Sequence, residues 1–135
     1  MKGCYLLVVE LKNNKKISVG KLGDIRFQQG FYVYVGSALN GLEQRIQRHL
    51  KKQKKTYWHI DYLLKEAAIK KVFYKEGENK EECNIAKKLG HSLTMIHGFG
   101  CSDCTCKSHL FYGTYKEIIK NIEKLEFSLY IAKKK

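Results

Sequence analysis

Proline is absent from this chain of 135 residues, and it contains no internal repeat. The longest low-complexity tract is the lysine run at residues 133–135, so no internal stretch has the composition of a linker. The longest apolar run near the start, residues 6–9, ends at Glu10, which argues against a signal peptide and a membrane-spanning helix. With 44% apolar residues, a chain of this length can bury a modest core, and we expect one domain.

Acidic residues are scarce relative to basic ones. Thirteen Asp and Glu face twenty-six Lys and Arg, which gives a formal net charge of +13. This excess is more than solubility requires and indicates a polyanionic partner. Nucleic acid, an acidic membrane surface and acidic proteins all satisfy it, and the lysines are too dispersed to specify a base sequence. Binding to DNA, with RNA not excluded, would be strongly salt-dependent.

The five cysteines are an odd number in a lysine-rich chain, which favours a cytoplasmic protein with reduced thiols over a disulfide framework. Four soft ligand side chains fall within nine residues, a density compatible with tetrahedral Zn²⁺, and Cys83 is a fifth candidate that would replace Cys101. The four are Cys101, Cys104, Cys106 and His109.

Two other interpretations of this cysteine-rich segment remain open. The thiols would act as small buried hydrophobic groups, or Asp103, Ser108 and His109 would line an active cleft. A similar choice applies to Trp58, His59 and Asp61, which are either support for a cleft or a core tryptophan beside a capped histidine.

Hydrophobic periodicity predicts strands at residues 25–27, 31–35 and 69–74, and a β-hairpin formed by residues 4–11 and 17–19. Helices are predicted at residues 39–53, 57–67 and 81–89, with Gly90 ending the third in the left-handed conformation. Thr114 and Glu117 form a T-x-x-E capping box for a last helix whose apolar positions continue to Leu129.

This order of elements favours an α+β fold over a doubly wound sheet. We expect a small antiparallel sheet of three to four strands flanked by helices, formed by residues 1–113. Residues 114–135 add an amphipathic C-terminal helix and a basic tail that pack on the same domain.

The stretch at residues 31–50 changes from a strand to a basic helix. Tyr32 and Tyr34 lie on one face of the strand, and Gly36 would let the backbone turn and an anion approach. Ser37 would cap the helix or bond the anion, and Arg48 offers a guanidinium fork for phosphate. Further candidates for contacts with nucleic acid follow the helix, and they are Lys51, Lys52, Lys54 and Lys55.

The motifs in this part of the chain resemble those of the GIY-YIG nucleases. Gly3, Cys4 and Tyr5 match the first motif, and "YVGSA" with the later Arg45, Arg48 and His49 matches the second motif and the helix after it. The segments "WHIDYLL", Glu82–Cys83 and "SHLFY" are similar to a compact prokaryotic subfamily sometimes fused to endonuclease III-type DNA glycosylases. The resemblance extends over residues 3–113.

The resemblance implies hydrolysis of DNA phosphodiester bonds with a single divalent metal ion, Mg²⁺ or Mn²⁺. Tyr5 would be the general base or orient the water, Tyr34 would join its proton network, and Arg45 would neutralise charge on the phosphate. His49 would hydrogen-bond the attacking or leaving oxygen. Glu82 would be the metal ligand, with Glu81 as the alternative.

Most GIY-YIG domains carry an asparagine after the metal-binding helix, and "HGFGCSD" occupies that place here. A catalytically inactive nucleic-acid-binding module in a DNA-repair or RNA-processing complex is therefore the alternative function. A zinc-dependent structural or redox protein is a third, supported by the cysteine cluster alone. No element that reads base edges is evident from the sequence, so specificity would come from DNA shape, ends or damage, or from a DNA-repair partner.

Overall fold

The computed structural model describes residues 2–38, 41–51, 55–77, 81–100 and 106–131. Its strands are β1 Gly3–Leu11, β2 Lys15–Ser18, β3 Asp24–Phe27, β4 Gly30–Ala38, β5 Ala68–Glu76, β6 Thr94–Met95, β7 Leu110–Gly113 and β8 Ser128–Leu129. Its helices are α1 Leu42–Leu50, α2 His59–Leu64, α3 Glu82–Gly90 and α4 Tyr115–Lys124, and a 3₁₀ turn spans Gly20–Leu22.

The strand β1 lies near the middle of a six-stranded sheet in the order β6-β7-β4-β1-β5-β8, and every pair of neighbours is antiparallel. This confirms the α+β class with an antiparallel sheet, flanking helices and a C-terminal helix. Six strands exceed the expected three to four because β6 and β8 have two residues each, too few to leave a hydrophobic period.

The predicted hairpin between residues 4–11 and 17–19 is wrong. The strand β1 pairs with β4 and β5, whereas β2 pairs with β3 in a separate two-stranded sheet. The reason is burial: eight of the nine residues of β1 are buried, so both edges and both faces of this strand need partners. A four-residue strand with only Ile17 buried cannot satisfy them.

The two faces of the sheet bury different side chains. The first, here called the tyrosine face, carries Tyr5, Leu7, Tyr32 and Tyr34 and packs against α1 and α2. The opposite face, here called the valine face, packs against α3 and α4 through a cluster that contains Leu6, Val8, Val33, Val35, Ile85, Ala86, Leu89, Ile118 and Ile122. The alternation predicted for the strand at residues 31–35 is confirmed, and both of its faces are covered.

Two helix ends differ from the sequence prediction. Gly90 is the last residue of α3 and does not have a positive φ, so its predicted left-handed role is wrong. A Cβ at Gly90 would lie 3.4 Å from Cε1 of Phe111, an ordinary van der Waals distance, so the packing of α3 on β7 does not require glycine at this position. At the C-terminus, α4 ends at Lys124, Glu126 has a φ of 60°, and Leu129 belongs to β8.

The N-terminus of α4 forms the predicted capping box. Glu117 N donates to Thr114 Oγ1 at 3.1 Å, and Thr114 N donates to Glu117 Oε1 at 3.0 Å. Ile118 and Ile122 then reach the core, so the C-terminal helix packs on the same sheet. Among the described residues, no helix has the length and apolar character needed to cross a bilayer.

Replacing Thr114 by alanine should lower the free energy of unfolding by about 1 kcal/mol, because the backbone N–H of Glu117 at the start of α4 loses its acceptor, Thr114 Oγ1. The measurement is urea denaturation followed by circular dichroism. Thr94→Ala, at an exposed threonine outside any helix cap, is the matched control and should change stability by less than about 0.5 kcal/mol. Equal effects of the two substitutions would contradict the capping interpretation.

Candidate active site

The sheet register places Tyr5 directly opposite Gly36. A Cβ at Gly36 would lie 2.8 Å from Cε1 of Tyr5, which is closer than real atoms approach. Gly36 therefore leaves room for the Tyr5 ring. The predicted turn at Gly36 is wrong, because β4 continues through it as an extended strand to Ala38.

The ring of Tyr5 reaches across to helix α1. Its hydroxyl lies 2.7 Å from Nε2 of His49, and the contact is buried. The Tyr34 ring lies beside both, with centroids 6.4 Å from that of Tyr5 and 6.3 Å from that of His49. We call these three side chains the Tyr–Tyr–His cluster. Side chains separated by up to 44 positions along the chain thus meet in one cluster.

The cluster lies beneath the surface. Tyr5 is 1% exposed, His49 2% and Tyr34 7%. Burial raises the pKa of both phenols, and the charge of Arg45 opposes that rise without cancelling it. Both phenols therefore keep their protons at neutral pH. A phenol in this state accepts a proton from water only if it passes its own proton on, and His49 Nε2 lies where that proton would go.

Arg45 lies between this cluster and the surface. Its side chain is partly exposed, and its Nη1 donates to the carbonyl oxygen of Ser37 at 3.2 Å. The guanidinium carbon lies 4.4 Å from the centroid of the Trp58 ring, a cation–π distance. These contacts orient the guanidinium, and its charge acts on both phenols.

Arg48 has a different environment from Arg45. Its Nη1 and Nη2 donate to the two carboxylate oxygens of Asp61, each at 3.0 Å, and Nη2 also donates to the carbonyl oxygen of Lys55. The guanidinium carbon of Arg48 lies 4.3 Å from the Trp58 centroid. The fork predicted to bind phosphate thus binds a carboxylate within the chain, and the geometry gives Arg48 a structural role.

Asp61 organises the segment that carries Trp58. Besides Arg48, it accepts hydrogen bonds from the backbone N–H groups of Tyr57 and Trp58, each at 2.9 Å. Burial raises the pKa of this carboxyl group. The hydrogen bonds from Arg48, Trp58 and Tyr57 together lower the pKa by more than burial raises it, so the net shift is downward. The charged carboxylate is therefore a fixed part of the fold near Arg45.

Glu82 is the first residue of α3 and is partly buried. Its charge is among the influences that raise the pKa of both Tyr5 and Tyr34. Glu81 precedes the helix, and its backbone bonds the thiol of Cys4 on the valine face. Of the two acidic candidates, Glu82 is therefore the better placed relative to the phenols.

Several predicted contacts with nucleic acid are not brought to this cluster. Ser37 pairs with Cys4 in the register, which directs its side chain towards the opposite sheet face from Tyr5. Lys51 and Lys55 are exposed beyond α1, as solvated basic residues would be. Lys52 and Lys54 lie outside the described residues.

The cysteine-rich segment is described in part. Sγ of Cys83, Sγ of Cys106 and a ring nitrogen of His109 all lie within 4.8 Å of one another. Cys101, Asp103 and Cys104 lie outside the described residues. The hydroxyl of Ser108, predicted as a cleft residue in one interpretation, instead donates to the carbonyl oxygen of Ile96 and accepts from Leu110 N.

The sequence did not assign a role to Trp58 or to His59, and the structure shows the contacts of both. Trp58 lies under two guanidinium groups, and His59 Nδ1 accepts a hydrogen bond from Gly100 N at 2.8 Å, joining α2 to the loop after β6. Burial lowers the pKa of His59, consistent with a neutral ring acting as acceptor. A W-H-x-D spacing before a helix was the available signal, and it left the roles of these residues open.

A scan against protein-family models matches residues 4–130 to "Domain of unknown function DUF123". The chain belongs to this family. The DUF123 match spans the Tyr–Tyr–His cluster, Arg45 and Glu82. It also spans Cys83, Cys106 and His109, whose ligand atoms lie close together. No curated protein and no solved structure matches the chain.

Replacing Gly36 by alanine should displace the Tyr5 ring and break its hydrogen bond to His49, because the new methyl group overlaps the ring. We expect a loss of about 2 kcal/mol in the free energy of unfolding, measured by guanidinium denaturation. Gly77→Ala is the matched control, since the nearest atom to its Cβ is Glu81 Oε2 at 3.9 Å. If Gly36→Ala is as stable as Gly77→Ala, the close packing of Tyr5 on Gly36 is refuted.

Replacing Asp61 by asparagine should cost about 3 kcal/mol, because Arg48 and two backbone donors lose a charged acceptor that is 1% exposed. Since the folded pKa of Asp61 is lowered, its contribution is fully present above the unfolded value near 3.8 and is lost as pH falls through the folded pKa. Denaturation curves for wild type and variant should therefore converge in acid.

The control for Asp61→Asn is Glu66→Gln, which breaks the exposed pair between Lys15 and Glu66. Its effect should stay below about 1 kcal/mol. An Asp61 variant no less stable than the Glu66 variant, or with an unchanged acid dependence, would contradict the role assigned to Asp61.

Proposed function

We propose that this chain is a DNA endonuclease that hydrolyses phosphodiester bonds with one divalent metal ion. The observation that supports this function best is the buried contact of 2.7 Å between the Tyr5 hydroxyl and His49 Nε2. The charge of Arg45 also acts on the two phenols of this cluster. Two strands and one helix contribute these side chains, in the order in which the motifs resembling GIY-YIG nucleases occur.

His49 would be the final proton acceptor. When water attacks the phosphorus atom, it would give its proton to the Tyr5 oxygen while Tyr5 passes its own proton to His49 Nε2. This paired transfer avoids a free phenolate, which burial disfavours. The bond from phosphorus to the ester oxygen breaks, the leaving oxygen takes up a proton from solvent water, and His49 returns its proton to solvent before the next cycle. Tyr34 packs beside both rings and keeps the relay surrounded by protein.

Arg45 would stabilise the negative charge that grows on the phosphate in the transition state. It is suited to this because it is partly exposed, whereas the phenols behind it are buried. Its contacts with the Ser37 carbonyl and the Trp58 ring fix its orientation before substrate arrives. A pre-oriented charge of this kind is usually the largest single contribution to catalysis.

Glu82 would hold the metal ion. Its charge acts on both phenols, and a single carboxylate with water in the remaining positions is a donor set that fits Mg²⁺ or Mn²⁺. Bound there, a divalent ion supplies Lewis-acid stabilisation of a phosphate oxygen. Glu82 itself contributes the hard oxygen ligand and the position of that ion at the N-terminus of α3.

DNA would be held mainly through its phosphates. The net charge of +13 and the exposed Lys51 and Lys55 beyond α1 support sequence-independent, salt-dependent binding. Substrate choice would then depend on DNA shape, ends or damage, or on a DNA-repair protein partner.

A catalytically inactive nucleic-acid-binding module is the second candidate. The observation that favours it is the burial of both phenols, since Tyr5 is 1% and Tyr34 7% exposed. In that case the Tyr–Tyr–His cluster would be a polar contact that holds β1, β4 and α1 together, and the basic surface alone would carry the function.

Plasmid, branched and single-stranded DNA should be cut by the purified chain with Mg²⁺ or Mn²⁺, and not with EDTA. Tyr5→Phe, Arg45→Ala and Glu82→Gln should each reduce the cleavage rate at least about 100-fold, because each removes a proton, charge or metal contact. The matched control is Tyr32→Phe, which removes a hydroxyl on β4 that is bound to the carbonyl of Gln28 in the turn before that strand. It should cleave within about threefold of wild type, allowing for a small structural effect.

Circular dichroism should show that the variants fold. If wild type leaves every substrate intact yet shifts it on a gel, the binding-module interpretation replaces the nuclease. If the Tyr5, Arg45 and Glu82 variants cut as fast as wild type, these residues are not the catalytic ones.

A further inference from the structure

Three potential metal ligands converge from two separate parts of the chain. Cys83 is the second residue of α3, Cys106 lies in the segment before β7, and His109 immediately precedes β7. Their ligand atoms all lie within 4.8 Å of one another, and Sγ of Cys83 lies 4.0 Å from Nε2 of His109. We call them the Cys–Cys–His group. The three side chains are half-buried or buried.

We propose that Cys83, Cys106 and His109 bind a zinc ion that fastens α3 to the segment before β7. Tetrahedral zinc, with Zn–S near 2.3 Å and Zn–N near 2.0 Å, separates a sulfur and a nitrogen ligand by about 3.6 Å. The observed 4.0 Å exceeds this by only about 0.4 Å, a gap that small side-chain rotations close.

The backbone around two of the ligands is already fixed. His109 N donates to the Phe99 carbonyl at 2.8 Å, and its own carbonyl accepts from Val35 N at 2.9 Å. Gly98 N donates to the carbonyl oxygen of Lys107, the residue that follows Cys106, at 2.8 Å. The ligands are thus held on paired backbone, so little ordering is needed when the ion binds.

The chemical type of its ligand atoms determines which metal ion the Cys–Cys–His group prefers. Two thiolates and an imidazole are borderline-soft ligands that favour zinc over Mg²⁺ or Ca²⁺. This set differs in chemistry from the single carboxylate of Glu82, so the two would bind different ions.

A disulfide between Cys83 and Cys106 is the competing use of the same atoms. It would leave the ring of His109 without a part in the chemistry, although a nitrogen of that ring also lies within 4.8 Å of both sulfurs. The convergence of three ligand types, rather than two thiols alone, is what favours zinc.

The Cys–Cys–His group also adjoins the Tyr–Tyr–His cluster. A Cβ at Gly100 would lie 3.1 Å from Cβ of His109 and 3.2 Å from Cε1 of Tyr34, so Gly100 is packed between the two. Zinc at Cys83 would set the position of the start of α3 and of the adjacent Glu82. That last consequence, unlike the zinc site, depends on the proposed nuclease function.

Zinc content tests the site directly. The untagged chain, produced in zinc-supplemented medium and dialysed, should contain about one zinc per molecule by mass spectrometry. Cys83→Ala, Cys106→Ala and His109→Ala should lose most of it. The matched controls are Cys4→Ala, a buried thiol on the valine face, and His97→Ala, an exposed histidine, and both should retain it.

Three measurements on the wild-type chain remain informative if a ligand variant fails to fold. Cobalt exchange should give thiolate-to-metal charge-transfer bands and a tetrahedral d–d spectrum, and X-ray absorption should find sulfur at about 2.3 Å and nitrogen at about 2.0 Å. Removing the ion with a chelator should lower Tm by about 10 °C if it is normally present at about a hundred times its Kd.

The proposal is overturned by wild type that takes up no zinc and gives no cobalt charge-transfer bands. It is equally overturned if Cys83→Ala and Cys106→Ala fold and keep full zinc, or if mass spectrometry finds a Cys83–Cys106 disulfide in the metal-free chain under reducing purification. Each of these results is independent of DNA cleavage, so failure of the zinc site and failure of the nuclease are distinguishable.

Discussion

The contact on which the rest of the structure depends is the packing of the Tyr5 ring over Gly36. The absence of a side chain at Gly36 leaves room for the Tyr5 ring, whose hydroxyl reaches His49 on α1 within a largely apolar layer. A buried hydrogen bond in apolar surroundings is directional and costly to leave unmade. It therefore fixes the rotation of α1, and with it Arg45, which lies one helical turn before His49.

The sequence was informative where structure follows local periodicity. The alternation of Tyr32 and Tyr34, the α+β class and the capping box at Thr114 all depend on neighbours within a few residues. The strands that pair with β1, and the two-residue strands β6 and β8, do not depend on near neighbours in the sequence. They are set by which distant segment covers an exposed edge of the sheet. Gly36 shows the same limit: its role is visible only once Tyr5 is known to lie opposite.

Some features of the candidate site could likewise be predicted from the sequence, and others could not. The resemblance to GIY-YIG nucleases implied that Tyr5, Tyr34, Arg45 and His49 belong together, and the fold brings them together. It assigned the catalytic role to Arg45, but it did not show that Arg48, three residues later on the same helix, would be engaged within the chain. Their difference comes from a long-range feature, a buried carboxylate on α2 that engages both Nη atoms of Arg48.

The charges around the two phenols affect the proton transfer that the proposed function requires. Arg45 lowers the pKa of Tyr5 and Tyr34, whereas Glu82 raises it, and burial outweighs both so that the protons stay in place. A divalent cation held by Glu82 would reverse the sign of the charge that this position presents to the phenols. The pKa of each phenol would then fall, and proton transfer towards His49 would become easier only when the metal is bound. A relay that is inert without its ion would also explain why these phenols are buried, because a metal-free chain gains stability from the same contacts.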